Sequence, residues 1–171
     1  MKVEPGPPSS EAVRATTVEA WIAAIATGWA LPGSWEGWAV GELERLSAPP
    51  VWLVDLACTT RAEDALWALH QGRGRNAPTS ARDDGIRLHL GMRYLAFLDG
   101  KVELGELLRE LGEHTDRHNV DDPSCEAFGG LLTRLDGGAE EKEIRSELAV
   151  LLGGQREEAA RALSELALRL E

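Results

Sequence analysis

Apolar side chains recur along almost the whole chain at spacings of three and four residues, in short bursts separated by proline, glycine or aspartate. That spacing gathers them on one face of a helix, whereas a half-buried strand would alternate every second residue. Val18, Trp21, Ile22, Ile25, Ala26 and Trp29 make the first such face, and Thr16 with Glu19 has the spacing of a capping box at its start. Ser34 is placed to cap a second helix with Trp35, Trp38, Ala39, Leu43 and Leu46 on its apolar side. Val51 to Cys58 suits a buried strand by residue type. The preceding Pro49-Pro50 suits a helix start, however, and Trp52, Leu53, Leu56 and Ala57 share a helical face, so a short helix is predicted there. Thr60 and Glu63 repeat the capping-box spacing ahead of Leu66 and Leu69, and Gly72 is a natural stop.

Residues 72–82 carry turn-forming types without apolar periodicity and read as a loop, with Asp83 or Asp84 restarting the helix. Between Ile86 and Leu98 apolar residues occupy two faces, which predicts a central helix with neighbours on both sides. Leu104, Leu107, Leu108 and Leu111 mark the next helix, and Pro123 starts another with Phe128, Leu131, Leu132 and Leu135 as its stripe. The glycine pairs at 137–138 and 153–154 each predict a break with a further helix beyond it. The sum is an all-α fold, an irregular bundle or stack of eight to nine short antiparallel helices. Residues 1–15 are expected to be a flexible tail and 16–171 a single helical domain. Gly37 and Gly41 weaken the second helix unless their spacing admits a close neighbour.

A net charge of −11 argues against nucleic acid, because phosphate binding needs a clustered basic face. It favours a basic protein partner instead. Residues 101–171 hold 17 acids and 9 bases, so the surplus is greatest in the C-terminal part. The two cysteines, Cys58 and Cys125, stand far apart and suit buried thiols in a reducing compartment better than a disulfide or a zinc ribbon. With no apolar run of membrane-spanning length and no secretory segment at Met1, the expected location is the cytoplasm, away from any membrane.

Few residues suggest chemistry. His114 and His118, at i and i+4, could face one way and offer two nitrogens to a metal, but Thr115 stands where a zinc hydrolase needs its glutamate. A helix C-terminus rich in His and Arg is equally explained by the helix dipole, so no metal is assigned. Gly72-Arg73-Gly74-Arg75 lacks the Gly-Lys-Ser/Thr ending of a phosphate loop. No nucleophile has an adjacent base, and the expectation is a non-catalytic protein without a cofactor.

Two features are left to do the binding. All six tryptophans lie within the first 67 residues, and five sit on predicted apolar faces. Trp67, beside Leu66, is the one placed to point outward as an interface residue. The second feature is acidic: Asp121, Asp122, Glu140, Glu141, Glu143 and Glu147 could steer a basic partner, although such runs also serve as solvated helix faces.

Trp38 to Leu69, with Pro49-Pro50-Val51-Trp52-Leu53-Val54-Asp55-Leu56 followed by Glu63-Asp64-Ala65-Leu66, resembles small all-helical immunity proteins of bacterial polymorphic-toxin systems. That resemblance implies a bacterial cytoplasmic antitoxin that neutralises a basic toxin domain in a tight complex. The alternative is a helical adaptor or scaffold that takes a peptide or partner helix in a groove near Trp35, Trp38 and Trp67.

Overall fold

The computed structural model describes residues 13–74, 77–118 and 123–168. They form eight helices and, among the described residues, no strand: α1 (Ala15–Ala26), α2 (Ser34–Arg45), α3 (Val51–Ala57), α4 (Ala62–Arg73), α5 (Thr79–Leu98), α6 (Leu104–His118), α7 (Pro123–Asp136) and α8 (Glu141–Glu165). The all-α expectation holds. Most of the tail expected at residues 1–15 lies outside the described residues.

Two apolar clusters hold the helices together. The first gathers Trp21, Ala24, Trp35, Ala39, Leu53, Leu56, Ala65, Leu69 and Met92, with Ala159 and Leu163 from α8. The second gathers Leu90, Tyr94, Phe97, Leu104, Leu107, Leu108, Leu111, Phe128, Ile144 and Leu148. α5 contributes to both through opposite faces, as its two apolar stripes predict, and α8 runs alongside it.

The tryptophans build the first cluster and also supply its polar closures. Trp21 packs on Trp38 with ring centroids 5.4 Å apart. The Trp35 indole N–H donates to the Thr59 carbonyl at 3.0 Å, and that of Trp29 donates to the Met92 carbonyl at 2.9 Å. These bonds replace the hydration that the two indoles lose on burial, whereas the buried Trp21 Nε1 has no hydrogen-bond partner.

Local signals were less reliable than periodicity. α1 stops at Ala26, so Trp29 lies beyond it in the turn, and neither Thr16 nor Thr60 is a cap: Arg14 and Arg61 precede the first turns with no side-chain cap bond. Gly72 does not end α4. It lies inside the last turn, where the Trp52 indole comes to within 2.6 Å of the place a Cβ would occupy, and Gly74 at φ +70° makes the stop. α5 begins at Thr79, right after Pro78, and with the end of α4 at Arg73 it takes up more than half of the expected loop. The expected break at Gly153-Gly154 does not occur either. α8 passes through both glycines as one helix of 25 residues. A glycine costs a helix about 1 kcal/mol relative to alanine, and here Leu152 on one side and Ala159 with Leu163 on the other bury α8 in both clusters. Cys58, expected to be buried, is exposed at the end of α3, because the buried face there is taken by Leu53 and Leu56.

Candidate functional site

α1 is apolar except at its threonines and Glu19, and Glu19 is 2% exposed. Its carboxylate lies against α5 at Gly85, where an added Cβ would meet Glu19 Oε2 and stand 3.2 Å from its Cδ. Glycine at position 85 therefore makes the space for a buried acid. Arg73, from the last turn of α4, brings its Nε to 3.4 Å from Glu19 Oε1. That is close enough for an ion pair but long for a hydrogen bond, and Oε1 has no hydrogen-bond partner. Burial raises the Glu19 pKa, and the attraction of Arg73 and Arg82 only partly offsets it.

From Arg73 the polar groups continue outward. Its Nη2 meets His70 Nδ1 at 2.5 Å. His118 of α6 lies close enough to both His70 and Arg73 to depress, with them, the basicity of the cluster. His118 in turn packs on His114, centroids 4.6 Å apart, one helical turn away. His114 stacks on His89 of α5, with centroids 3.7 Å apart and planes 2° from parallel. Three of the four histidines thus pack together between α5 and α6, and the fourth, His70 of α4, is linked to them electrostatically and through Arg73 to the buried Glu19.

The charge balance of this cluster is one-sided. Burial lowers His89 to about 3 and His114 to about 4, and every other influence on them is cationic: the neighbouring histidines with Arg117, and for His89 also Arg93. His70 is lowered by burial first and then by Arg73 and His118, and His118 by burial first and then by Arg117 and Arg73. Arg93 is itself held by Glu110. His114 Nε2 is buried and has no hydrogen-bond partner.

Such an arrangement limits the available chemistry. Neutral imidazoles are good metal ligands, but stacked parallel rings aim their lone pairs side by side, whereas a tetrahedral ion needs them to converge. Among the described residues no three His, Cys, Asp or Glu side chains are arranged to hold a metal. His70 with Arg73 and Arg117 with His118 also stand in the last turns of α4 and α6, where the helix dipoles favour cations. What the site can do is change charge, since adding a proton to either stacked ring places a cation in a partly dry, already positive setting.

The residues expected to bind a partner lie elsewhere. Asp121 and Asp122 are outside the described residues. Glu140, Glu141, Glu143 and Glu147 are all exposed around the start of α8, but three of them already have partners in the chain. Glu141 pairs with Arg145 at 2.5 Å, and Arg134 reaches Glu147 at 2.8 Å and Glu143 at 3.9 Å. Trp67 does point outward, 60% exposed, on the side of α4 opposite Ala65, Ala68 and Leu69. Trp35 is fully buried, so it does not line a groove. Arg73, read from sequence as part of a solvated loop, belongs to α4 and to the buried network.

Sequence reasoning placed His114 and His118 together but had no sign of His70 or His89, which arrive from other helices. Glu19 did carry a signal, as the one charge within an otherwise uncharged α1. It was assigned instead to the capping box. The chain matches no family model, no curated protein and no solved structure.

Proposed function

We propose that this chain is a non-catalytic binding protein, an immunity protein that neutralises a basic toxin domain by covering it in a tight complex. The observation that carries this reading is Trp67, a large aromatic left 60% exposed in an acidic part of the chain. Residues 34–69 hold six acids and two bases. On the same three consecutive helices, α2 to α4, Val40, Val51 and Val54 are also exposed, at 46%, 76% and 43%. Apolar anchors ringed by one sign of charge suit a protein interface: the anchor supplies affinity, and the charge speeds encounter with a partner of opposite sign.

The paired carboxylates of α8 support a lesser part than their number suggests. Glu141, Glu143 and Glu147 already face arginines, so an incoming basic surface gains less from them than from Glu44 or Asp64 on α2 and α4. The adaptor reading is less well supported, because Trp35 is buried and Trp38 packs on Trp21.

The test is to mix the purified chain with a basic toxin domain encoded beside its gene and follow both binding and toxin activity. The reading requires a stoichiometric inhibitory complex whose dissociation constant rises with salt. It also requires that Trp67→Ser weaken the complex tenfold or more while leaving thermal stability unchanged. Binding that ignores both salt and Trp67 would refute it.

A further inference from the structure

We propose that the stacked His89 and His114, with His118 packed on His114, form an acid-sensitive latch that holds the last two turns of α6 against α5. The contacting rings come from α5 and α6 and close on one another with no carboxylate among the described residues paired to them. The charged groups facing them are Arg73 and His70 from α4, Arg93 from α5, and Arg117 with His118 from α6 itself. Glu110 is engaged with Arg93, and the buried Glu19 of α1 is paired with Arg73. No carboxylate among the described residues contributes to the balance at any of the four rings.

Neutral rings tolerate this company. Two imidazolium rings 3.7 Å apart, near Arg93 and Arg117 and half-buried, do not. Protons reach the exposed His118 and His70 first, and their charge loads the cluster from outside. Further protonation becomes favourable only if His114 leaves His89 for water, which also hydrates the His114 Nε2 that has no partner in the closed form. The first half of α6 has reason to stay: Leu104, Leu107, Leu108 and Leu111 are anchored in the second cluster. Opening is therefore confined to residues 112–118. Burial pushes His89 and His114 well below the ordinary imidazole range, so they favour the open form at every pH below that range.

The experiment is amide hydrogen exchange of the full chain at pH 7.5 and 5.5, each rate normalised to that of an unstructured peptide at the same pH. Protection within 112–118 should fall at least tenfold at pH 5.5 and lie at least tenfold below that of α8 at that pH. Tryptophan emission, which reports α1 to α4, should stay constant over the same range. The double variant His89→Phe, His114→Phe keeps two stacked rings without a titrating nitrogen and should lose the response. If that variant does not fold, His114→Asn is used, and it should lose most of the response. Protection within 112–118 as high as that of α8 at pH 5.5, or a drop there that persists in the variant that folds, would overturn the latch.

Discussion

Gly91 of α5 lies directly against the backbone carbonyl of Gln155 in α8: a Cβ built on Gly91 would strike that oxygen, stand 2.6 Å from the Gln155 carbonyl carbon and 2.8 Å from the Ala159 Cβ. The two longest helices cross here, and the crossing links both apolar clusters. A backbone contact has no flexible end to swing aside. Gly91→Ala should therefore destabilise the protein by about 3 kcal/mol, the upper range for overpacking a core. The urea midpoint checks it, and a variant within about 0.5 kcal/mol of the parent would show that the helices can part at little cost.

Gly37 and Gly41 provide the contrast. Both are exposed in α2, and nothing stands within 4 Å of a Cβ at either position. Their spacing suggested a close helix neighbour, and the close approach is instead at Gly91. Replacing either with alanine should raise stability by up to about 1 kcal/mol, the helix-propensity difference, because no contact opposes the gain. Thermal unfolding of each single variant measures it, and a lower midpoint would mean that α2 meets something the monomer does not contain.

How far the sequence could be read depends on whether a signal was local. α3 was legible because Pro49-Pro50 and the Leu53, Leu56 spacing act within one turn, and α6 because four leucines define its face unaided. The continuity of α8 was not legible, since Gly153-Gly154 is a local stop signal overruled by burial in two separate clusters. The caps failed for a related reason. Glu19 has the right spacing from Thr16, but the tertiary fold turns its side chain inward to Arg73. At the histidine site only the His114–His118 pair shares a helix; His70 and His89 are brought in by helix packing, which no spacing rule encodes.

Glu19 itself allows a test of sign. Its folded pKa is raised, burial outweighing the pull of Arg73, so the folded state prefers the protonated acid. Its contribution to stability is then fully present below the unfolded carboxylate value and is lost as pH rises through the folded one. At pH 7.5 the charge is a burden on the fold. Glu19→Gln should therefore stabilise the protein at pH 7.5, because the amide fills the same space without a charge to desolvate. The gain should shrink as pH falls toward the ordinary carboxylate range. A variant less stable than the parent at pH 7.5 would show that the Arg73 pairing outweighs burial.

The stacked histidines tilt stability the other way. His89, held down to about 3, and His114, held down to about 4, both lie below the ordinary value of 6.5, so the unfolded chain binds more protons than the folded one in the interval between. Stability is unaffected by these rings above pH 6.5 and falls as pH drops from there toward their folded values. The loss approaches about 1.4 kcal/mol per pH unit for each ring where the unfolded state alone is protonated. Glu19 opposes this trend as the pH approaches the carboxylate range, so Glu19→Gln should make the acid loss steeper there. Urea unfolding from pH 7.5 to 4.5 should show a falling midpoint that His89→Asn makes shallower. If the slope is the same in both proteins, the stack carries no linked proton and the acid response belongs to other groups.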